Sequence, residues 1–303
     1  MPTMTDGELS ALLKLLEDPD SSTRAWAEMS LASLDQAALD QLRGASGRAA
    51  PEVARRIEEL VFLAPRRGPV EDLARLVETD GDEVDLEAGL WCLARFRDPD
   101  LVTAPFTLEL ERLAEAVRSR TGRVEPPLQA FKGFVQTLFD DEGFRGNVAD
   151  YYDPDNSFFH KVLERRRGIP ITLSALCLLV GHRLGLPLAG IGLPGHFLCR
   201  FGSEERGVYF DPFHNGRLLT REDCAALCRQ EGFIFREDYL SSSTNREMLM
   251  RMVRNLREIY LQREALLEVS LLEDYMAVLG RVEEDESEGV EEQPDGEAPD
   301  ELR

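Results

Sequence analysis

The chain has 303 residues, 43% of them hydrophobic, enough for one large or two ordinary domains around a sizeable core. Its net charge is −22, and a polyanion of this kind repels nucleic acid and anionic membrane, so neither is expected as a partner. Residues 283–303 carry eleven acids against one base, yet the rest of the chain is acidic too.

Taken in chain order, residues 6–145 read as helices. Leu9, Leu12, Leu13 and Leu16 recur at helical spacing, Ser21 or Ser22 can cap the next helix, and Leu31, Leu34, Leu39 and Leu42 continue the pattern. Pro51 stands where the first turn of a helix over residues 52–63 tolerates proline. Helices over 72–77, 86–96, 108–117 and 128–139 follow. A weak echo links residues 15–20 to residues 93–100, each with an Asp-Pro beside a Leu-rich helix. HEAT-like helical pairs and ordinary punctuation by Asp-Pro account for it equally well.

The texture changes near Phe144. Phe144-Arg145-Gly146-Asn147 and Tyr151-Tyr152-Asp153-Pro154 are turn chemistry. A helix is predicted from about residue 157 to 167, and another from Pro170 to Arg183. Residues 188–192, 196–201 and 208–213 alternate as strands, with 202–207 as the polar turn between the last two. Residues 221–230 are helical. Residues 244–264 and 271–282 form a closing helical pair, somewhat like a degenerate tetratricopeptide unit. From residue 283 the chain is acidic, holds Gly and Pro and lacks aromatics, so disorder is expected.

Residues 1–8 lack a basic segment followed by an apolar stretch, and the most apolar run, 169–194, is broken by His182, Arg183 and several Gly and Pro. Neither a leader nor a spanning helix is expected. Cys92, Cys177, Cys199, Cys224 and Cys228 are odd in number and fall in apolar patterns, which reads as buried thiols in a reducing cytoplasm. Cys224 and Cys228 lie four apart on one helix face, but without a CxxC or a second pair, packing accounts for them better than a metal.

The informative stretch runs from Arg165 to Leu219. If the hairpin turns symmetrically about residues 202–207, His196 faces Phe213 across the ladder, and Asp211 is its diagonal neighbour on the same face. A His and an Asp so placed form the base–orienter pair that prepares a nucleophile, although a lone His near an Asp is more often structural. The run Arg165-Arg166-Arg167 before the 170–183 helix is either a solvated face or, with Gly168 and the helix N-terminus, an anion site. Gly195 suits close backbone approach beside His196. His160, His182 and His214 follow no pattern, and no phosphate loop, HExxH motif or dinucleotide fingerprint occurs, so no cofactor or metal is expected.

These residues resemble the transglutaminase-like superfamily, most closely its bacterial invasion-regulator (Sir B type) branch, a domain also found in a eukaryotic F-box protein. The resemblance covers roughly residues 86–220. It rests on Tyr151-Tyr152-Asp153-Pro154-Asp155-Asn156-Ser157-Phe158, Arg166-Arg167-Gly168-Ile169-Pro170, Pro194-Gly195-His196-Phe197 and Asp211-Pro212-Phe213. In active members a helix begins Gly-x-Cys, a Leu-Gly-Ile-Pro follows about fifteen residues on, and a His and an Asp-Pro occupy successive strands. The resemblance maps Leu184-Gly185-Leu186-Pro187, His196 and Asp211 onto the later landmarks. Counting back from Gly185 puts Gly168 on the glycine and Pro170 on the cysteine. Proline has no nucleophilic atom and suits a first helical turn. Cys177 lies about 10 Å down the helix, too deep to attack. Cys199 points to the opposite face of its strand from His196. Thr172 and Ser174 are the hydroxyls that a slipped register could bring to His196.

The fold class expected is α+β. It comprises a helical N-terminal region (1–84, in part HEAT-like), a papain/transglutaminase-like domain with a small antiparallel sheet (85–220, core 145–220), C-terminal helices (221–282) and a disordered acidic tail (283–303). The function expected is that of a cytoplasmic, non-catalytic regulatory or scaffold protein. It would bind a peptide or protein through a degenerate triad groove formed by His196, Asp211, Arg166, Arg167, Gly168, Pro170 and Gly195. The rival reading is an amidase, peptidase or acyl transferase that uses His196 and Asp211 with a non-cysteine nucleophile. A third reading makes the helical flanks the functional part.

Overall fold

The computed structural model describes residues 36–47, 51–121 and 127–280, with isolated positions between 7 and 27. Most of the first 35 residues, with part of the first arm of the Asp-Pro echo, and the acidic segment from 283 lie outside the described residues. Among the described residues no helix is long and apolar enough to cross a membrane.

The described chain opens with α1 (Gln36–Ser46) and α2 (Pro51–Asp80). The sequence pattern predicts two helices, 52–63 and 72–77, where the structure has one. Pro65 and Pro69 lie inside α2. Proline removes a helical donor and crowds the turn before it, which normally ends a helix. Here Arg66 reaches back to the Phe62 carbonyl at 2.7 Å and across to the Phe96 carbonyl at 2.8 Å, tying the interrupted turn to the next helix. Buried Val61, Leu73 and Val77 anchor α2 on both sides of the interruption.

Next come α3 (Leu86–Arg97), capped by the Asp85 carboxylate on the Ala88 N–H, then α4 (Ala104–Thr121) and α5 (Pro127–Val135). After α5, Gln136–Asp141 widens into π-helix. The short strand β1 (Arg145–Gly146) follows, and then α6 (Phe159–Arg165), which is shorter than the predicted 157–167. The reason is Arg166, whose φ of 55° is left-handed and ends the helix. Arg167–Gly168 then becomes β2 and pairs in parallel with Arg145–Gly146, a contact that turn chemistry alone does not reveal.

Helix α7 (Pro170–Arg183) has the predicted bounds. It is buried nearly all round, as expected of a central helix. The strands β3 (Leu188–Leu193), β4 (His196–Phe201), β5 (Val208–Asp211) and β6 (Arg217–Leu219) form an antiparallel meander in that order. Strand β5 stops short of the predicted residue 213. Pro212 cannot donate to the ladder, and Asp211 Oδ1 accepts the N–H groups of Phe213 and His214, closing a 3₁₀ turn. Strand β6, three residues long, had no alternating signal.

The sheet lies between two helical layers. Phe197, Cys199, Phe201 and Phe210 point into the same core as Leu173, Leu176, Cys177 and Val180 of α7. Ile191, Leu193, Leu198 and Tyr209 point the other way, with Cys224 and Cys228 of α8 (Arg221–Gln230). All five cysteines are buried free thiols. The closing helices α9 (Asn245–Gln262) and α10 (Leu266–Gly280) join the main core, which is continuous from Leu73 to Leu279. Phe96 of α3 packs on Phe158, Tyr260 and Tyr275, and the buried Tyr275 hydroxyl donates to the Cys92 carbonyl at 3.0 Å. The architecture is thus α+β: a helix-rich chain, a small antiparallel sheet in its centre, and helices before and after.

Candidate functional site

The site starts from a tight turn. Strands β3 and β4 pair Leu193 with His196, leaving Pro194 and Gly195 as a two-residue connection. Gly195 has φ +74°, as the third position of a type II turn requires, with proline at the second. A Cβ on Gly195 would also meet the Glu231 side chain at 2.4 Å, so glycine serves both the turn and the close approach. His196 is thereby the first residue of β4. Strand β5 pairs with β4 in the register Cys199↔Phe210, which brings Asp211 at its end beside His196.

His196 Nε2 lies 2.8 Å from Asp211 Oδ2. The Asp211 side chain is 3% exposed and that of His196 is 13% exposed. Because Nε2 faces the carboxylate, His196 Nδ1 is directed to the other side of the ring. A second imidazole shares the same oxygen: His214 Nδ1 lies 2.7 Å from Asp211 Oδ2, and its side chain is 54% exposed. Burial by itself would raise the Asp211 carboxyl, but the hydrogen bonds and charge of His196 and His214 outweigh it and hold the group below its ordinary value. Arg251 of α9 fixes the turn from behind. One of its nitrogens donates to both the Leu193 and His196 carbonyls at 2.8 Å, and its guanidinium lies over the Phe197 ring. Phe213 meets the His196 ring edge-on, and Tyr151 packs against Phe213. Tyr151, Tyr152 and Val148 are exposed apolar surface. Arg251 also lines a separate cleft of about 400 Å³, with Gly192, Phe197, Ser243 and Arg254.

At the start of α7, Pro170 occupies the first helical position and is buried. The Thr172 hydroxyl accepts the Ile169 N–H at 3.1 Å and donates to the Asn156 carbonyl at 2.8 Å. Asn156 in turn donates to the Asp150 carbonyl and receives the Asn147 amide, so the 150–156 loop is locked onto the helix start. Thr172 and Ser174 are fully enclosed. Ser174 Oγ has no hydrogen-bond partner among the described residues, and the Ser174 carbonyl faces the Cys199 thiol. None of these groups is in hydrogen-bond contact with His196 among the described residues. Burial, reinforced by Cys199, pushes the Cys177 thiol well above its usual value. Burial pushes Cys92 and Cys224 up to about 12. These are inert thiols, not nucleophiles.

The three arginines before α7 have separate partners. Arg165 pairs with Asp153 and Asp155. Arg166 pairs with Glu109 and Glu142 and lies over the Phe144 ring, so its charge is already met by acids. Arg167 meets no carboxylate among the described residues. Burial, and then the neighbouring Arg145 charge, lowers its guanidinium pKa. Gly168 is buried where a Cβ would fall 2.7 Å from the Thr172 hydroxyl. His160, enclosed in the core, lies 2.8 Å from Asp98 Oδ2.

His214 and Arg251 had no pattern in the sequence. His214 is placed by the turn that Asp211 caps, three residues on. Arg251 is placed by a helix that begins more than thirty residues after the strand it holds. With His196 and Asp211, His214 forms a set of three metal-competent donor atoms, all within 4.8 Å of one another.

A central helix packed on an antiparallel sheet, with a His–Asp pair at adjacent strand ends, defines a transglutaminase-like core. The family described as Transglutaminase-like superfamily matches residues 105–254. The chain is 32% identical over 191 residues to a UPF0162 protein of Xylella fastidiosa (strain Temecula1), covering 61% of this chain and 68% of that one. It is 30% identical over 196 residues to a UPF0162 protein of Vibrio cholerae, covering 63% and 72%. It is also 37% identical over 115 residues to F-box only protein 21 of Mus musculus, covering 35% of this chain and 18% of that protein. No solved structure matches. The chain belongs to the transglutaminase-like superfamily, in the UPF0162 family.

Proposed function

We propose that this protein is a non-catalytic, transglutaminase-like regulatory or scaffold protein that binds a peptide or protein partner through the groove around His196. The observation that carries this reading is the helix start facing the sheet. Pro170 stands in the position that the family resemblance gives to the cysteine, and the nearby Thr172 and Ser174 hydroxyls are fully enclosed. The intact His196–Asp211 pair then serves as a rigid floor, and Tyr151, Tyr152 and Val148 supply the exposed apolar contact that recognition sites use. Arg167 and Arg145 add positive charge near the groove, which suits an acidic or C-terminal carboxylate in the partner. The resemblance to the invasion-regulator branch and the cytoplasmic setting belong to the same proposal, as does the division at residues 84, 220 and 282.

The rival reading is an amidase, peptidase or acyl transferase with an unusual nucleophile. The 2.8 Å His196–Asp211 contact favours it, since that geometry is what a base–orienter pair needs. An acyl-type electrophilic probe with mass-spectrometric mapping separates the two. The binding reading expects no adduct near His196, and capture of a partner that Tyr151→Ala and Tyr152→Ala weaken together. Hydrolase or transamidase turnover that His196→Ala abolishes would overturn it.

A further inference from the structure

The geometry points to a divalent transition-metal site of the Zn²⁺ class at His196, Asp211 and His214. It stands independently of the groove reading, because its ligands are this chain's own side chains and need no partner. Three observations carry it. Asp211 Oδ2 stands between two imidazole nitrogens, 2.8 Å from His196 Nε2 and 2.7 Å from His214 Nδ1. All three donor atoms lie within 4.8 Å of one another. The other carboxylate oxygen is held by the N–H groups of Phe213 and His214, so the ligand oxygen is oriented from outside the set.

Two imidazoles and one carboxylate are the donor set of zinc sites that keep a fourth position open. Bonds of about 2.0–2.1 Å to a tetrahedral ion place ligand atoms about 3.3 Å apart, so each imidazole must withdraw from Oδ2 by about half an ångström. His214 is free to do this, being half exposed on a short turn. The Arg251 clamp leaves the His196 ring free, since it holds the backbone carbonyls of Leu193 and His196 and the Phe197 ring. An imidazole ligates a metal in its neutral form, through a nitrogen that carries no proton. His196 moves its proton from Nε2 to Nδ1, His214 moves its proton from Nδ1 to Nε2, and each vacated lone pair goes to the ion. Asp211 contributes one negative charge and stays ionised.

The test is a Zn²⁺ titration of the chelator-treated full chain by calorimetry at pH 7.5, with Co²⁺ visible absorption as the coordination readout. The expected result is one equivalent bound with Kd on the order of 1 μM or tighter, and a rise in Tm with metal. His214→Ala should weaken binding about tenfold or more and remove the metal-induced rise in Tm, while its metal-free Tm stays near wild type because His214 is exposed. His196→Gln, which keeps much of the ring's volume, should show the same loss. No saturation below about 1 mM, or binding that survives His214→Ala, overturns the site. Partner capture is scored in chelator, so failure of one idea leaves the other standing.

Discussion

Asp211 does several jobs with one carboxylate. It ends β5, caps the following turn through Oδ1 and receives two imidazoles on Oδ2. Its replacement by Ala orphans four donors, two of them backbone N–H groups. We expect Asp211→Ala to lower stability by about 2–4 kcal/mol in urea unfolding, and a loss below about 0.5 kcal/mol would show the pair to be loosely held. The carboxyl is held below its ordinary value, so its stabilising contribution is present above the unfolded pKa of about 4 and disappears as pH falls through the lower folded value. Wild type should therefore lose stability below about pH 4 more steeply than Asp211→Asn, measured as Cm against pH. Pro170 offers a second test at this scale. The five native thiols are buried, so at pH 7 iodoacetamide should leave them unmodified in the folded chain. Pro170 is buried as well, so Pro170→Cys should be alkylated rapidly only if the helix start opens onto His196. Absence of labelling would show that it does not.

Among the elements, the β1–β2 ladder fixes the ring that stands beside His196. Gly146 lies so close to Phe213 that a Cβ would sit 2.5 Å from the ring, and Phe213 is the residue that meets His196 edge-on. Replacing Gly146 by Ala must push the ring and the turn behind it. A loss of about 1–3 kcal/mol is expected, and on the proposed binding role partner capture falls by more than the loss of stability explains. Unchanged thermal unfolding would mean that β1 yields instead of the ring. Helix α7, strand β4 and helix α8 were legible to the residue because their patterns are local: apolar periodicity, a proline at the first turn, a capping Thr220. The continuous α2 was not. Two internal prolines argue for a break, and only packing and the Arg66 bonds to carbonyls of two different helices override them.

For the molecule as a whole, the closing helices are part of the main core. Tyr275 is fully buried, packs on Phe96 and donates to the Cys92 carbonyl, two residues one turn apart on α3 and far from Tyr275 in the chain. Tyr275→Ala should cost about 3–5 kcal/mol, read from urea midpoints, and a chain ended after residue 264 should lose cooperative thermal unfolding. A sharp two-state transition in that truncated chain would show that α10 is an accessory to the core.

What the sequence determined by itself was whatever short-range chemistry controls. The helix–sheet alternation follows from apolar period, the turn at residues 202–207 from residue type, and the shared face of His196 and Asp211 from hairpin parity. The family resemblance implies, beyond these, that Pro170 stands in place of the cysteine. What only the tertiary structure decided depends on groups distant in sequence or on a turn that re-aims a side chain. Arg251 clamps a turn more than fifty residues before it, Glu109 and Glu142 take the charge of Arg166, and the turn capped by Asp211 brings His214 onto the same oxygen as His196. Burial makes the same division. Periodicity marks Thr172 and Ser174 as near the helix start, but only the packing of the 150–156 loop and β4 around them encloses their hydroxyls.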